Sequence, residues 1–338
     1  SLSSSSFISA SWLPIILVSF AVPVYLNFNF SVYRLQFKHN FKKSGVFQAL
    51  LAILDLGLSF FLMMNYGITG AFIGMFISLV LVTALIAGDG YKDLFVFFDK
   101  KTFFLLFKFG AKLLLIVFGF GFLTTADKFS VANFFPKIDM GLYSMATSVA
   151  MVPLTIGAAL QGINTQRMLE EFGKTNDQNS IKIFLDESIF AIAFLVPFFS
   201  VMLIAFVEPL VVMLLPKYVN SLQFVDKLSL GIYFLAISLN CSSFLVVTKK
   251  YHIVIITQMI LIALVVFGNW MIFINGFGLL GISVVTVINY FLFAFVLYLF
   301  SYSNFGSVPK AIMMFLKLSL PLSPILFAFS VKFIFLNP

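Results

Sequence analysis

The amino-acid sequence predicts an all-α fold: a polytopic transmembrane helical bundle organised as two like-oriented lobes. Three observations predict it. Of 338 residues, 61% are hydrophobic and 10% charged, with a mean hydropathy of +1.09, whereas a soluble domain carries about 25% charged residues. The apolar residues form continuous runs of the length needed to cross a hydrocarbon core about 30 Å thick; β-barrel strands would be about ten residues long and alternate in polarity. Finally, part of the chain matches itself at an offset of 211 residues.

In chain order, ten runs are long enough to span, at about 7–30, 45–66, 68–88, 103–135, 140–163, 183–206, 227–247, 252–273, 277–301 and 311–335. Ser1 to Ser6 lack a basic leader region, so the first run is expected to be a span and not a cleaved signal. The fourth run would be about 50 Å long as one helix, so a break near Gly110 with an interfacial approach segment is expected. Pro153 in the fifth run and Pro197 in the sixth each remove a helix hydrogen bond and permit kinks. Between them, the mixed charges of Arg167, Glu170, Glu171, Lys174, Asp177, Lys182, Asp186 and Glu187 predict an amphipathic cytoplasmic link.

Basic residues near span ends are retained in the cytoplasm. Alternate turns hold fifteen lysines and arginines on one side (34–43, 92–108, 167–182, 249–250, 310–317) against Lys137, Lys217, Lys227 and Lys332 on the other. The first side is assigned to the cytoplasm and both ends of this chain to the outside. The net charge of +8 is thus a topology signal, and nucleic acid is not expected as a partner.

The 211-residue offset superposes Lys38 on Lys249, Gly57 on Gly268, Gly67 on Gly278 and Gly70 on Gly281. Both copies follow one grammar: a basic turn, an apolar span, an uncharged glycine turn and a return span. Glycine suits such turns because it accepts positive φ and lets helices approach closely. Six helices separate the copies, an even number, so the two share an orientation about an axis along the membrane normal. The expected organisation is residues 1–90 as the last three helices of an N-lobe, 91–102 as a cytoplasmic linker, 103–301 as a six-helix C-lobe and 302–338 as an additional helix. A full repeat further predicts about a hundred residues ahead of residue 1 in the intact protein.

Polar residues inside the runs are the candidate functional groups, because an ionisable side chain near the membrane interior costs at least about 2.5 to 3.5 kcal/mol. Asp127 and Lys128 lie about 24 Å into the fourth crossing, with Ser130 and Asn133 beyond. Neighbours on a helix diverge by about 100°, so the two cannot both address one ligand atom on a regular helix. Lys128 is the better candidate for an anionic ligand; an interhelical ion pair or snorkelling of its ammonium is the alternative. Lys112 is expected to snorkel. Asp55 sits mid-span and reads either as a cation or proton coupling site or as a carboxyl packed between helices. Gln161 and Asn133 are further cavity candidates able to hydrogen-bond sugar hydroxyls. With one cysteine and two histidines, neither a disulfide framework nor a metal cluster is expected, and no cofactor is implied.

The run Thr125-Ala126-Asp127-Lys128-Phe129, followed by Asp139-Met140-Gly141-Leu142-Tyr143-Ser144-Met145-Ala146, resembles the Asp-basic then Gly-x-Tyr-Ser signature opening the C-terminal half of Wzx-type polysaccharide flippases. These belong to the multidrug/oligosaccharidyl-lipid/polysaccharide exporter superfamily. The stretch from Glu208-Pro209-Leu210 to Pro216-Lys217-Tyr218 is similar to the family's external loop after its ninth helix. The resemblance implies a MATE-like architecture and export of an undecaprenyl-pyrophosphate-linked oligosaccharide across the bacterial inner membrane by alternating access. It also implies membrane lipids and glycan-assembly proteins as partners, and no enzymatic step. The expected competitors are an organic-cation antiporter of the same superfamily and, from another class, a membrane glycan polymerase or ligase. The latter calls for a large external loop and clustered catalytic groups, where the sequence shows short external segments.

Overall fold

A computed structural model describes residues 4–37, 40–87, 99–303 and 305–322. The chain divides into two compact units, Ser1–Asp99 and Lys100–Pro338. Among the described residues every regular element is helical, and seven helices, or eight with one bent pair, are long and apolar enough to cross a membrane.

The first unit contains α1 (Ser4–Phe37) and α2 (Phe41–Ala87). Helix α2 holds two of the predicted spans, because at Gly67 the backbone turns through φ 62°, ψ −148° and the helix doubles back. Its two arms pack at a distance set by glycine: a methyl group at Gly70 would sit 2.0 Å from the Leu62 carbonyl oxygen, and one at Gly74 2.5 Å from the Ser59 nitrogen. Ala21, Phe28 and Val32 of α1 pack with Leu79, Val82 and Ile86 of the returning arm.

The second unit contains α3 (Lys100–Phe134), α4 (Lys137–Ala150), α5 (Leu154–Thr175), α6 (Gln178–Leu214), α7 (Leu222–Val247), α8 (Tyr251–Ile274), α9 (Gly278–Tyr302) and α10 (Val308–Leu318), with short 3-10 turns at Pro216–Ser221 and Leu320–Leu322. Helix α7 is its axis: most of its residues are buried, and α4, α5, α6 and α9 pack around it. Helix α3 lies along α8, which lies along α9. Phe315 of α10 inserts among the rings of Phe234, Phe291, Phe295 and Tyr298.

The glycine turn recurs between α8 and α9, with Gly276 at φ 71° and Gly278 at φ 66°. The partners in the 211-residue match share roles: Gly67 and Gly278 both take positive φ, and Gly70 and Gly281 both abut the preceding helix, a methyl at Gly281 falling 2.6 Å from Ile272.

Several expectations are corrected. Helix α3 does not break near Gly110 but runs unbroken for 35 residues, about 52 Å at 1.5 Å per residue. One interior glycine costs a helix only about 1 kcal/mol, less than the hydrogen bonds a break would expose. Glu208 to Leu210 are not in a loop: α6 continues through Pro197 and Pro209 to Leu214. The charged 166–188 segment, expected as an amphipathic link, is built from the ends of α5 and α6, which meet at a tight turn. There Asn176 adopts φ 51° and Asp177 caps α6 by accepting from the Asn179 N–H at 3.0 Å. Pro153 stands at a 46° bend between α4 and α5, whereas Pro197 interrupts nothing. Of the predicted last span, 311–318 belong to α10; residues 323–338, and 91–98 of the predicted linker, lie outside the described residues.

Candidate functional site

The polar centre of the second unit follows from the periodicity of α3. Its buried residues, Gly119, Leu123, Thr124, Ala126, Asp127, Ser130 and Val131, recur every three to four positions and form the face applied to the bundle. Asp127 lies on that face with 1% of its surface exposed.

Its carboxylate is held from three helices. Oδ1 accepts from the Lys128 backbone N–H at 2.8 Å. Oδ2 accepts from the Tyr143 hydroxyl of α4 at 2.8 Å and from the Thr286 hydroxyl of α9 at 3.4 Å. Tyr143 and Thr286 are themselves 3.3 Å apart, and Tyr143 is fully buried. One turn further along α3, Ser130 accepts from the Asn269 amide of α8 at 3.2 Å. The Asn269 Oδ1, like Oε1 of Gln258 and Oδ1 of Asn289, is buried without a hydrogen-bond partner among the described residues.

Lys128 is one residue, and hence about 100°, away from this face. It is half-buried, and among the described residues its ammonium forms no hydrogen bond or ion pair with Asp127 or any other group. The two adjacent charges therefore differ in their contacts: the carboxylate ties helices together, while the ammonium acts on it through space and makes no direct bond among the described residues.

The other predicted residues are scattered. Gln161 donates to the Leu239 carbonyl at 3.2 Å and the Ser243 hydroxyl at 2.8 Å, fastening α5 to α7. Asn133 is exposed and donates to the Phe129 carbonyl of its own helix at 2.8 Å. Asp55 belongs to the first unit, where Oδ1 accepts from Ser59 at 2.9 Å and Ser78 at 3.4 Å across the two arms of α2. Lys112 donates to the Tyr251 hydroxyl and lies 4.4 Å from the centre of that ring. Thr286 and Asn269 escaped the sequence reading: each is one neutral polar residue in an apolar run, and only their convergence on α3 distinguishes them. Tyr143 was visible through its signature, though not its bond to Asp127.

A profile of the family described as Polysaccharide biosynthesis protein matches residues 3–222, more than half of the chain. No curated protein matches it in sequence. Among solved structures it is similar to "Lipid II flippase MurJ, inward closed conformation", at 17% identity and a TM-score of 0.58, covering 99% of this chain and 77% of that one. It is also similar to a MATE protein in complex with MaL6, at 12% identity and a TM-score of 0.73, covering 88% and 70% of the two chains. A MOP superfamily transporter from Pyrococcus furiosus aligns at 13% identity and a TM-score of 0.68, with the same coverages. The profile and the shared helical architecture lead to one assignment: this chain belongs to the polysaccharide biosynthesis protein family and has a MATE-like helical fold.

Proposed function

We propose that this protein moves an undecaprenyl-pyrophosphate-linked oligosaccharide from the inner to the outer leaflet of the bacterial inner membrane by alternating access. The observation behind this reading is the separation of Asp127 from Lys128. With the carboxylate occupied by Tyr143 and Thr286, the Lys128 ammonium is available to offset an anionic headgroup. A cation in an apolar span is costly unless something neutralises it, and a pyrophosphate does so while the isoprenoid tail stays in lipid. The transfer needs no covalent step. With the interior negative, outward passage of two phosphate charges through the full field gains about 4.6 kcal/mol per 100 mV. Asp55, with both serine donors on one oxygen, is the coupling carboxylate in this scheme. Glycan-assembly proteins would supply the cargo.

The test is export of lipid-linked oligosaccharide by Lys128→Ala at matched protein abundance, expected to fall about tenfold or more for loss of a desolvated charge contact. Wild-type export by this variant would remove Lys128 from the headgroup role. The similarity to MATE structures favours a second reading, organic-cation antiport. Mass spectrometry of lipids retained by the purified protein separates the two: polyprenyl-pyrophosphate sugars support the flippase, and their absence with saturable organic-cation binding supports the antiporter.

A further inference from the structure

A depression of about 290 Å³ opens at the end of the second unit where α3 meets α4, α7 begins, and α8 turns into α9. It is walled by Phe135 and Phe277, with Asp139 and Gln223 among its lining residues and Gly278 at its edge. We propose that it is a sugar-binding subsite for a neutral or amine-bearing ring of the glycan. The proposal rests on the flippase reading and deepens it by naming a second contact on the same cargo.

The chemistry of the lining selects the ligand. Asp139 and Gln223 make no hydrogen bond or ion pair among the described residues, so an acceptor-only carboxylate and an amide that both donates and accepts are left for a ligand. Together they match adjacent hydroxyls, or a hydroxyl beside an amine. The aromatic walls suit the C–H face of a sugar ring, and Phe277 is 66% exposed. Phe135 is braced by an edge contact with Phe273, their centroids 5.8 Å apart, and Phe273 in turn stacks on Phe134 at 5.0 Å, so that wall is set before a ligand arrives. Gly278, at φ 66°, has open space where a side chain would project, and a ring can approach the backbone there. The volume lies just below the range of about 300 to 1,000 Å³ typical of drug-sized sites, which fits one ring and not a whole oligosaccharide.

Charge excludes the other end of the cargo. The ionisable side chain lining the depression is the Asp139 carboxylate, which repels pyrophosphate and uronic acids. Phe135 follows Lys128 by seven residues, about 10 Å along the helix axis, so a headgroup at the ammonium and a ring in the depression can belong to one linked molecule. The assignment is thus anion at Lys128 and first neutral or amino sugars at Asp139 and Gln223.

The experiment titrates the full chain, purified in nanodiscs, with soluble glucose, glucosamine, N-acetylglucosamine and glucuronate, read by saturation-transfer NMR. Saturable binding of at least one neutral or amino sugar, weakened about tenfold by Asp139→Asn and by Gln223→Ala, with glucuronate not binding, supports the subsite. Unchanged binding in both variants, equal binding of glucuronate, or no binding of any sugar to wild type overturns it. Two exposed or half-buried positions on separate helices are used so that a folding failure of one leaves the other informative. Lys128→Ala serves as the control: it is expected to retain soluble-sugar binding while losing lipid-linked export. Asp139-dependent binding in a protein that exports no lipid-linked sugar would sink the flippase reading and keep the subsite; export without soluble-sugar binding would do the reverse.

Discussion

Asp127 in the second unit and Asp55 in the first both lie inside apolar spans, and their surroundings treat them differently. Asp127 in the second unit is buried and takes donors from its own helix, from α4 and from α9. Asp55 in the first unit is half-buried and takes two serine hydroxyls, both on Oδ1 and both from α2 itself. The first arrangement joins three helices; the second joins the arms of one hairpin that glycine packing already holds closed. An intramembrane acid is therefore not one kind of object. Its role depends on how many independent elements its donors come from, and on whether any lone pair is left for a visiting proton or ion.

The contrast is broken most directly by Asp127→Ala, which strips Tyr143 and Thr286 of their acceptor. A loss of about 2 to 4 kcal/mol is expected, seen as a clear drop in the thermal midpoint of the purified protein; an unchanged midpoint would mean that the carboxylate does not tie the helices. Gly74→Ala tests the claim that the first unit depends on close backbone contact. Its methyl group would press on the Ser59 backbone, with an expected cost of about 1 to 3 kcal/mol. Tyr143→Phe removes one donor and keeps the ring, and should cost about 1 to 2 kcal/mol. Asp55→Asn is expected to cost under about 1 kcal/mol, because an amide oxygen still accepts from both serines. Its effect should appear instead as a lost response of transport to an imposed proton or sodium gradient, measured in vesicles. Gradient responses identical to wild type would leave Asp55 as a packing residue only.

Much of the architecture was legible before the structure. Continuous apolar runs marked the helices, and Gly67, Gly276 and Gly278 marked hairpins because few other residues tolerate the positive φ found there. Helix ends were less legible. Gly110 and Pro197 were candidate interruptions and Glu208 to Leu210 resembled the start of a loop, yet α3 and α6 continue through them. A breaker weakens a helix by a local amount, while packing along the rest of the helix is gained over its whole length. The site was half legible: Asp127 and Lys128 stood out by their cost in a membrane, but which of them would join helices and which would make no direct bond depended on which face of α3 meets the bundle. Gln161, a cavity candidate by its place in an apolar run, donates to two groups of α7, a pairing its sequence position did not announce.

What the amino-acid order determined alone is whatever depends on transfer into lipid and on local backbone freedom: the helical class, the spans, the glycine hairpins and the residues too polar to lie in hydrocarbon without a reason. Tertiary structure decided the partnerships, bringing Thr286 to Asp127 across 159 positions and Asn269 to Ser130 across 139. Those contacts are set by the register between packed helices, and register is a sum over many weak apolar contacts that no single residue type announces.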